Sequence, residues 1–416
     1  MSKFYKGKTS KLIDLCESIT DCHHSTPKWT NEGKIVIRNF NIKNGKLLLD
    51  EISYTDEATY QERISRSQPY PGDLIITREA PMGEVCIIPD GIECCLGQRL
   101  VLIKPNLNKI NNKYLLYALL SEYTQKQIQQ SNNTGSIVSN LRIPLLKNLD
   151  IPLNNNQDKI ASILSSLDDK IELNNRINSE LENLAKTIYD YWFVQFDFPD
   201  ENGKPYKSFG GKMVYNQELK REIPAGWEVK KLGKILKTGL GGTPSTKQSN
   251  YWVNGNIPWL NSGEISNFPV ISSEKCITQE GIDNSPAELL PKGSIVISIV
   301  RYIRPSILAI EATANQSVLG IYESDKLLNC FIYPYLVSQV PRLMSLRTGA
   351  QQPHINKETI DASLITIPEN AVLENYYKIA KPLFKEIINI AFQNQQLTQL
   401  RDWLLPMLMN GQIIIK

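Results

Sequence analysis

The sequence predicts an α+β chain made of two pseudo-repeated, mixed and mostly β domains separated by two long helices that form an antiparallel coiled coil. Three observations predict it. Short motifs recur in the same order at offsets of about 214 to 222 residues. Each copy opens with β-branched runs broken by Gly, Pro and Asn turns. Each then closes with a long stretch whose apolar residues step by four and three.

The repeat is read first, because a missed repeat miscalls the whole fold. Lys11-Leu12-Ile13-Asp14-Leu15 answers to Lys231-Leu232-Gly233-Lys234-Ile235-Leu236, and Gly33-Lys34-Ile35-Val36-Ile37 to Gly255-Asn256-Ile257-Pro258-Trp259. Pro71-Gly72-Asp73-Leu74-Ile75-Ile76-Thr77 answers to Pro291-Lys292-Gly293-Ser294-Ile295-Val296-Ile297-Ser298. Thr134-Gly135-Ser136 then matches Thr348-Gly349-Ala350, and Asp150-Ile151-Pro152 matches Thr366-Ile367-Pro368. One helical stretch interrupts each front part, Lys113 to Gln130 in the first copy and Cys330 to Leu346 in the second.

The first long helix is expected from about Gln157 to Trp192, with Asn154, Asn155 and Asn156 as candidate caps and no Pro or Gly inside. Its seam reads Ile160, Leu164, Leu167, Ile171, Asn174, Asn178, Leu181, Ala185, Ile188, Trp192. Consecutive Asn at seam positions fix register at some cost in stability. A shift of 219 residues gives Ile379, Leu383, Glu386, Ile390, Gln393, Leu397, Leu400, Leu404 and Met407 for the second helix. Polar interruptions fall near the middle of both, which suits an antiparallel pair; the other arrangement packs each helix on its own β domain. Pro382 should kink or delay the second helix by a turn. The expected division is therefore 1–155, a front β domain; 156–196, a spacer helix; 197–226, a polar connector with room for a hairpin; 227–370, a second front β domain; and 371–416, a second spacer helix and tail.

Composition narrows the class. The chain has 416 residues, 41% hydrophobic and 21% charged, so it is neither disordered nor a membrane bundle. Its longest apolar run, Ser294 to Val300, falls far short of the roughly 20 residues of a bilayer span. The lysine-rich start has no apolar block behind it, so no secretory signal is expected. Lys plus Arg number 46 against 43 Asp plus Glu, a net charge of +3 that leaves room for a local basic groove. Seven cysteines show no disulfide spacing and read as reduced thiols in a cytoplasmic protein. Cys22-His23-His24 lacks the paired spacing of a zinc site.

Catalytic patterns fare poorly. Asp200 with Glu218-Leu219-Lys220 fits a loose metal-nuclease pattern, but it lies in a connector without the strands that would fix the carboxylates. Gly239-Leu240-Gly241-Gly242-Thr243 lacks the third glycine at the spacing of a phosphate loop, Gly210-Gly211-Lys212-Met213 has Met where a Mg²⁺-binding Ser or Thr belongs, and both read as turns. Asn256-Ile257-Pro258-Trp259 has Ile257 where the Asn/Asp-Pro-Pro-aromatic motif of amino-methyltransferases has its first proline, and no convincing cofactor loop precedes it. With three histidines, no nucleophilic triad is legible.

A duplicated β domain on two equal spacers suits a bivalent reader of duplex DNA. A helix of about 36 residues spans ~54 Å, longer than one DNA turn of roughly 34–36 Å. The two front domains differ in their polar residues, so they are expected to read different half-sites.

The chain resembles the specificity subunits of type I restriction–modification systems over essentially its whole length. The resemblance rests on Ile160-Ala161-Ser162-Ile163-Leu164-Ser165-Ser166-Leu167-Asp168-Asp169-Lys170-Ile171, on Tyr191-Trp192-Phe193-Val194-Gln195-Phe196, and on Gly203-Lys204-Pro205-Tyr206-Lys207-Ser208 with Ile223-Pro224-Ala225-Gly226-Trp227. The tail Leu404-Leu405-Pro406-Met407-Leu408-Met409-Asn410-Gly411 adds to it. The chain departs from the family pattern in lacking a Gly-Trp opening at its N-terminus and in carrying Met407 where a basic residue is usual. The resemblance implies a subunit without catalysis of its own, partnered by double-stranded DNA, two methylation subunits and, through them, restriction/translocase subunits. S-adenosylmethionine, ATP and Mg²⁺ would belong to those partners.

Base readout needs Arg, Lys, Asn, Gln and Ser on loops facing a groove. The candidates are Lys28, Arg38, Asn39, Arg78 and Asn133 in the first copy, and Lys247, Asn261, Ser262, Arg301, Tyr302, Arg304, Gln351 and His354 in the second. Arg78 and the Arg301-Tyr302-x-Arg304 cluster stand out, because both follow the matching Ile-rich strand; His354 also suits a structural hydrogen-bonding role. Trp29 and Trp252 read as small-core aromatics. Off-seam apolar residues Ile163, Ile177, Leu184, Phe384, Ile387 and Ile388 are the expected contacts with the methylation subunits.

Overall fold

Leu74–Thr77 and Ile295–Ser298 carry four consecutive buried residues each, the mark of a strand covered on both faces. Ile75 packs in one cluster while Leu74 and Ile76 pack in another; Val296 and its neighbours Ile295 and Ile297 divide in the same way. Around these central strands the computed structural model, which describes residues 7–130, 140–349 and 351–413, forms two units. One comprises Met1–Ile171 with Gln396–Lys416, the other Glu172–Gln395.

The first unit holds an antiparallel sheet in the order Cys16–Asp21, Leu100–Pro105, Leu74–Thr77, Val85–Ile87. A second sheet runs Cys94–Leu96, Lys34–Ile37, Ser53–Thr55, Trp29–Thr30, with its first pair parallel. Thr9–Lys11 pairs antiparallel with Asp150–Pro152 and ties the start of the domain to its end.

The second unit repeats this order. Thr238–Leu240, Val318–Ile321, Ile295–Ser298 and Arg304–Ile307 form one sheet, and Lys275–Ile277, Ile257–Leu260 and Thr313–Ala314 the other, again with one parallel pair. Glu228–Lys231 pairs with Leu364–Ile367. Equivalent backbone bonds repeat as well: Leu12 N–H donates to Leu149 O, and Leu232 N–H to Ser363 O, each at 2.9 Å. The strand motifs paired in the sequence therefore occupy equivalent strands. Thr134-Gly135-Ser136 and Ala350 lie outside the described residues.

The expected helix Lys113–Gln130 is two helices, Asn112–Leu120 and Glu122–Gln130. Ser121 between them is extended, its hydroxyl donates to Ala118 O at 2.6 Å, and its carbonyl accepts from Gln125 N at 2.9 Å. It ends one helix and starts the next, a local competition open to serine. The counterpart Asn329–Ser345 runs unbroken through Pro334 and Pro341.

The two long helices span Gln157–Tyr189, continued by a π turn at Asp190–Val194, and Asn370–Met409. Every seam residue expected on the first is buried or half-buried. On the second, Pro382 neither delays nor ends the helix, because Tyr376, Ala380, Phe384 and Ile387 are buried on both sides of it. Such burial outweighs a proline cost of about 3 kcal/mol. The expected register is also corrected: Ile379 and Leu400 are exposed, as are Glu386 and Gln393. Ile390 of the expected line is buried, but the line without an exposed member lies one residue later, with Ala380, Phe384 and Ile387 buried and Ala391, Asn394 and Arg401 half-buried. An offset of 220 rather than 219 lays the first seam on it. One residue turns a helix face by about 100°, and Ile379, Leu383, Ile390, Leu397 and Leu404 offered a competing apolar line.

Within the second unit, Asn174 Nδ2 donates to Asn394 Oδ1 at 2.8 Å, Asn178 Nδ2 to Ile387 O at 3.3 Å, and the Trp192 and Tyr376 ring centroids lie 5.8 Å apart. Within the first unit, Arg401 Nη1 donates to Asp168 Oδ1 at 2.8 Å, and Ile160 and Leu164 share a core with Leu408 and Met409. The connector does contain a hairpin, Met213–Asn216 against Arg221–Pro224. Among the described residues no helix is long and apolar enough to cross a membrane.

Candidate nucleic-acid interface

In the first unit, Lys34–Ile37 delivers Arg38 and Asn39 to the end of a strand. Arg38 packs against two exposed rings, its guanidinium carbon 5.0 Å from the Trp29 centroid and 4.7 Å from that of Phe40. Trp29 is thus no core aromatic: at 44% exposure it is a face for the arginine. Asn39 Nδ2 donates to Ala80 O at 2.6 Å. Gly97 N–H donates to Ile37 O at 2.7 Å and brings the turn carrying Gln98 and Arg99 to the same edge. Arg99, absent from the sequence candidates, pairs with Glu79 at 3.2 Å and is over half exposed. Lys28 is exposed and pairs with Asp56 at 2.8 Å. Asp56 also caps the helix Glu57–Ile64, and the Lys28 hydrogen bond holds its carboxyl well below the usual range. Asn133 lies outside the described residues.

Arg78 is engaged within its own unit. Its Nη1 donates to both Asp21 oxygens at 2.9 and 2.8 Å, Nε to Leu141 O at 3.1 Å, and Nη2 to Asn140 Oδ1 at 3.2 Å. A guanidinium so occupied holds strands together and has little left for a base. The backbone shows why the two copies differ here. Arg78 N–H donates to Arg99 O and its carbonyl accepts from Leu141 N, whereas in the second unit Ile299 makes those bonds with Ser317 and Ile355. Arg78 is therefore the counterpart of Ile299, two residues before Arg301.

In the second unit the structure brings Arg301, Tyr302, Arg304, Gln351 and His354 onto two joined segments. Arg301 N–H donates to Pro353 O at 2.7 Å, and Val300 and His354 form a β-bridge. Arg301 itself has φ +60°, a left-handed turn that exposes its side chain. Tyr302 is 62% exposed, with the Arg304 guanidinium 5.2 Å from its ring centroid. Arg347, also missed in the sequence, donates to the Arg301 carbonyl. His354 Nδ1 donates to Gln352 O at 3.1 Å, in keeping with a structural role.

Asn261 and Ser262 follow the strand Ile257–Leu260, but every polar atom of the Asn261 side chain serves its own turn. Nδ2 donates to Glu264 Oε2 at 2.7 Å, and Oδ1 accepts from Gly263 N at 2.8 Å. Lys247 stands exposed just before the turn Ser249–Tyr251. Trp252 packs edge-on against Trp259 with centroids 5.1 Å apart, a small-core position.

The proposed partner surface divides. Ile163, Ile177 and Leu184 are exposed and Ile388 half-buried, whereas Phe384 and Ile387 are 4% and 1% exposed. The last two belong to the buried line of their helix, by the one-residue register shift above, and offer no open face. The loose nuclease set is not assembled as a site: Asp200 Oδ1 accepts from Asn202 N and Lys204 N, each at 2.8 Å, inside its own turn.

Two β-rich units of one topology, each ending in long helix and each with its own set of polar loop residues, define a tandem recognition protein. Comparison makes the class specific. The family described as type I restriction modification DNA specificity domain matches residues 6–183 and again 224–401, and the chain belongs to that family. The chain is 29% identical over 353 residues to the specificity subunit of the type I restriction enzyme MjaIX of Methanocaldococcus jannaschii, covering 83% of this chain and 78% of that one. It is 24% identical to the HindI specificity subunit of Haemophilus influenzae, covering 91% and 94%. The crystal structure of a type I restriction–modification S subunit from M. genitalium shares the fold with a TM-score of 0.56 at 16% identity, covering 97% of this chain and 96% of that one.

Proposed function

We propose that this chain is the DNA sequence-recognition subunit of a type I restriction–modification complex, with each unit reading one half of a bipartite asymmetric site. The observation that carries the reading is the double family match laid on two units with the same sheet order and different exposed polar residues. A repeat of one fold keeps one docking geometry, while loops that differ supply different base contacts. The chain itself has no catalytic role in this reading; S-adenosylmethionine, ATP and Mg²⁺ serve the methylation and restriction/translocase subunits, in the cytoplasm.

In the same reading the long helices form an antiparallel coiled coil that sets the spacing between the readers. Support comes from the contacts within each unit: Asp168, Asn174 and Trp192 meet Arg401, Asn394 and Tyr376, so residue numbers fall on one helix as they rise on the other. Ile163, Ile177 and Leu184 remain exposed on the first helix and suit docking of two methylation subunits.

Genome-wide mapping of N6-methyladenine in the source cell, with and without this chain, tests the function. Loss of one bipartite motif on deletion is the expected result. A methylome unchanged by deletion contradicts it.

A further inference from the structure

The two copies place different side chains at one backbone position. Lys34–Ile37 ends at Arg38, whose N–H donates to Asn41 Oδ1 at 2.9 Å. Ile257–Leu260 ends at Asn261, whose N–H donates to Glu264 Oε2 at 2.8 Å. The same strand end and the same turn, closed by the side chain three residues on, make Arg38 and Asn261 counterparts.

Their side chains behave in opposite ways. Asn261 is closed on itself, as described above. The N–H donors of Arg38 have no acceptor among the described residues, and its guanidinium carbon lies within 5.0 Å of the centroids of two rings, Trp29 and Phe40, that are 44% and 42% exposed. Two rings against a guanidinium restrain the swing of its plane while taking up none of its N–H donors as conventional hydrogen bonds. The second copy lacks this clamp. At the same offset of 223 residues, Gly263 stands for Phe40 and Trp252 for Trp29. Trp252 is turned onto Trp259, and its Nε1 donates to Ser245 O at 3.2 Å.

An arginine fork with a fixed plane matches two acceptors lying in one plane, and the major-groove edge of guanine presents them as O6 and N7. A backbone phosphate also accepts from arginine, but it asks for charge more than for a fixed plane, and an unclamped side chain serves it. We infer that Arg38, clamped by Trp29 and Phe40, is the residue through which the first unit requires a guanine in its half of the DNA site, and that the second unit makes no such demand at the equivalent position. The inference rests on the DNA-recognition reading above.

Methylome mapping of cells carrying the full chain as wild type, R38A and R38K tests it. In both variants one G·C position in one half of the motif should relax, with the other half unchanged. The rate preference for guanine there should fall about ten- to a hundredfold on duplexes differing at that pair alone. R38K keeps the charge but lacks the fork, so it separates base reading from phosphate contact. Methylation that weakens evenly over an intact motif marks a phosphate contact and overturns the inference, as does an unchanged motif. If R38A abolishes methylation, sites selected by the purified variant complex from randomised duplexes decide: guanine retained overturns the inference, guanine lost supports it. Deletion of the whole chain is the separate control, since a methylome indifferent to it removes the recognition reading itself.

Discussion

Asn174 and Asn394 share a hydrogen bond of 2.8 Å and stand 220 residues apart, so the same seam position of the two helices meets itself. Asn174 is 1% exposed, and Asn394 also donates to Asn175 Oδ1 at 2.8 Å. An amide pair with one member buried on the seam favours one register, because a slip leaves the Asn174 amide without its partner. N174A removes the bond and opens a cavity; it should lower stability by about 1–2 kcal/mol in urea melts. N174L/N394L replaces both amides by apolar groups and should melt above wild type. A double variant that melts below the single one contradicts this account of the seam.

Seven thiols give a second check. Cys276 is half-buried, whereas the other six are buried. Burial pushes the Cys16, Cys94 and Cys330 thiols up to about 12 and Cys95 to about 11. The thiolate is the reacting species, so iodoacetamide at about pH 8 should modify Cys276 first in the folded chain and the rest only after denaturation. Peptide mass spectrometry reads the order directly; early labelling of Cys94 or Cys95 contradicts the packing of that strand.

The contrast between the two long helices shows what a sequence can reveal and where it stops. The first seam was legible because its four-and-three steps run unbroken from Ile160 to Trp192, whereas exposed apolar residues of that helix such as Ile163, Ile177 and Leu184 are too sparse to make a competing seam. The second carries apolar residues on two adjacent lines, and pattern alone could not choose between Ile379 and Ala380 as the start. Topology was legible through the repeat, which needs only order and spacing. The candidate readers were less so. Arg78 and Arg301 follow matching strands, yet a two-residue difference in the turn buries one and exposes the other. Trp29 was misjudged because nothing local distinguishes a ring that covers a core from one that covers an arginine. The cation–π pairing across a strand end, Trp29 to Arg38, is a tertiary fact.

Asp73 provides a pH test. Burial raises its carboxyl above the usual value, in spite of a hydrogen bond from Tyr70 N at 2.9 Å and the Lys104 ammonium 3.6 Å away. The folded protein therefore holds this proton to a higher pH than the unfolded chain does. The stability it contributes is fully present below the unfolded carboxylate value and is lost as pH rises through the raised folded value. D73N removes that dependence while keeping an acceptor for Tyr70. Over about pH 3 to 7, urea midpoints of wild type should fall relative to those of D73N. Parallel curves contradict a raised value for Asp73.

Arg78 separates a residue that builds the recognition domain from one that reads DNA. It is 12% exposed and joins Asp21, Leu141 and Asn140 across three segments. Lysine carries the charge but cannot donate to all three from one plane. R78K should therefore lower the stability of the chain by about 1–3 kcal/mol, the range for a charged hydrogen-bonded network that water partly reaches. It should leave the methylated motif unchanged in its bases, with methylation weakened evenly in step with the folded fraction. R38K should do the reverse, changing one base of the motif at constant melting temperature. Urea melts and methylomes of the two variants measured together decide between the roles. A relaxed base in R78K at unaltered stability would make Arg78 a reader after all, and would mean that its ion pair with Asp21 opens when DNA binds.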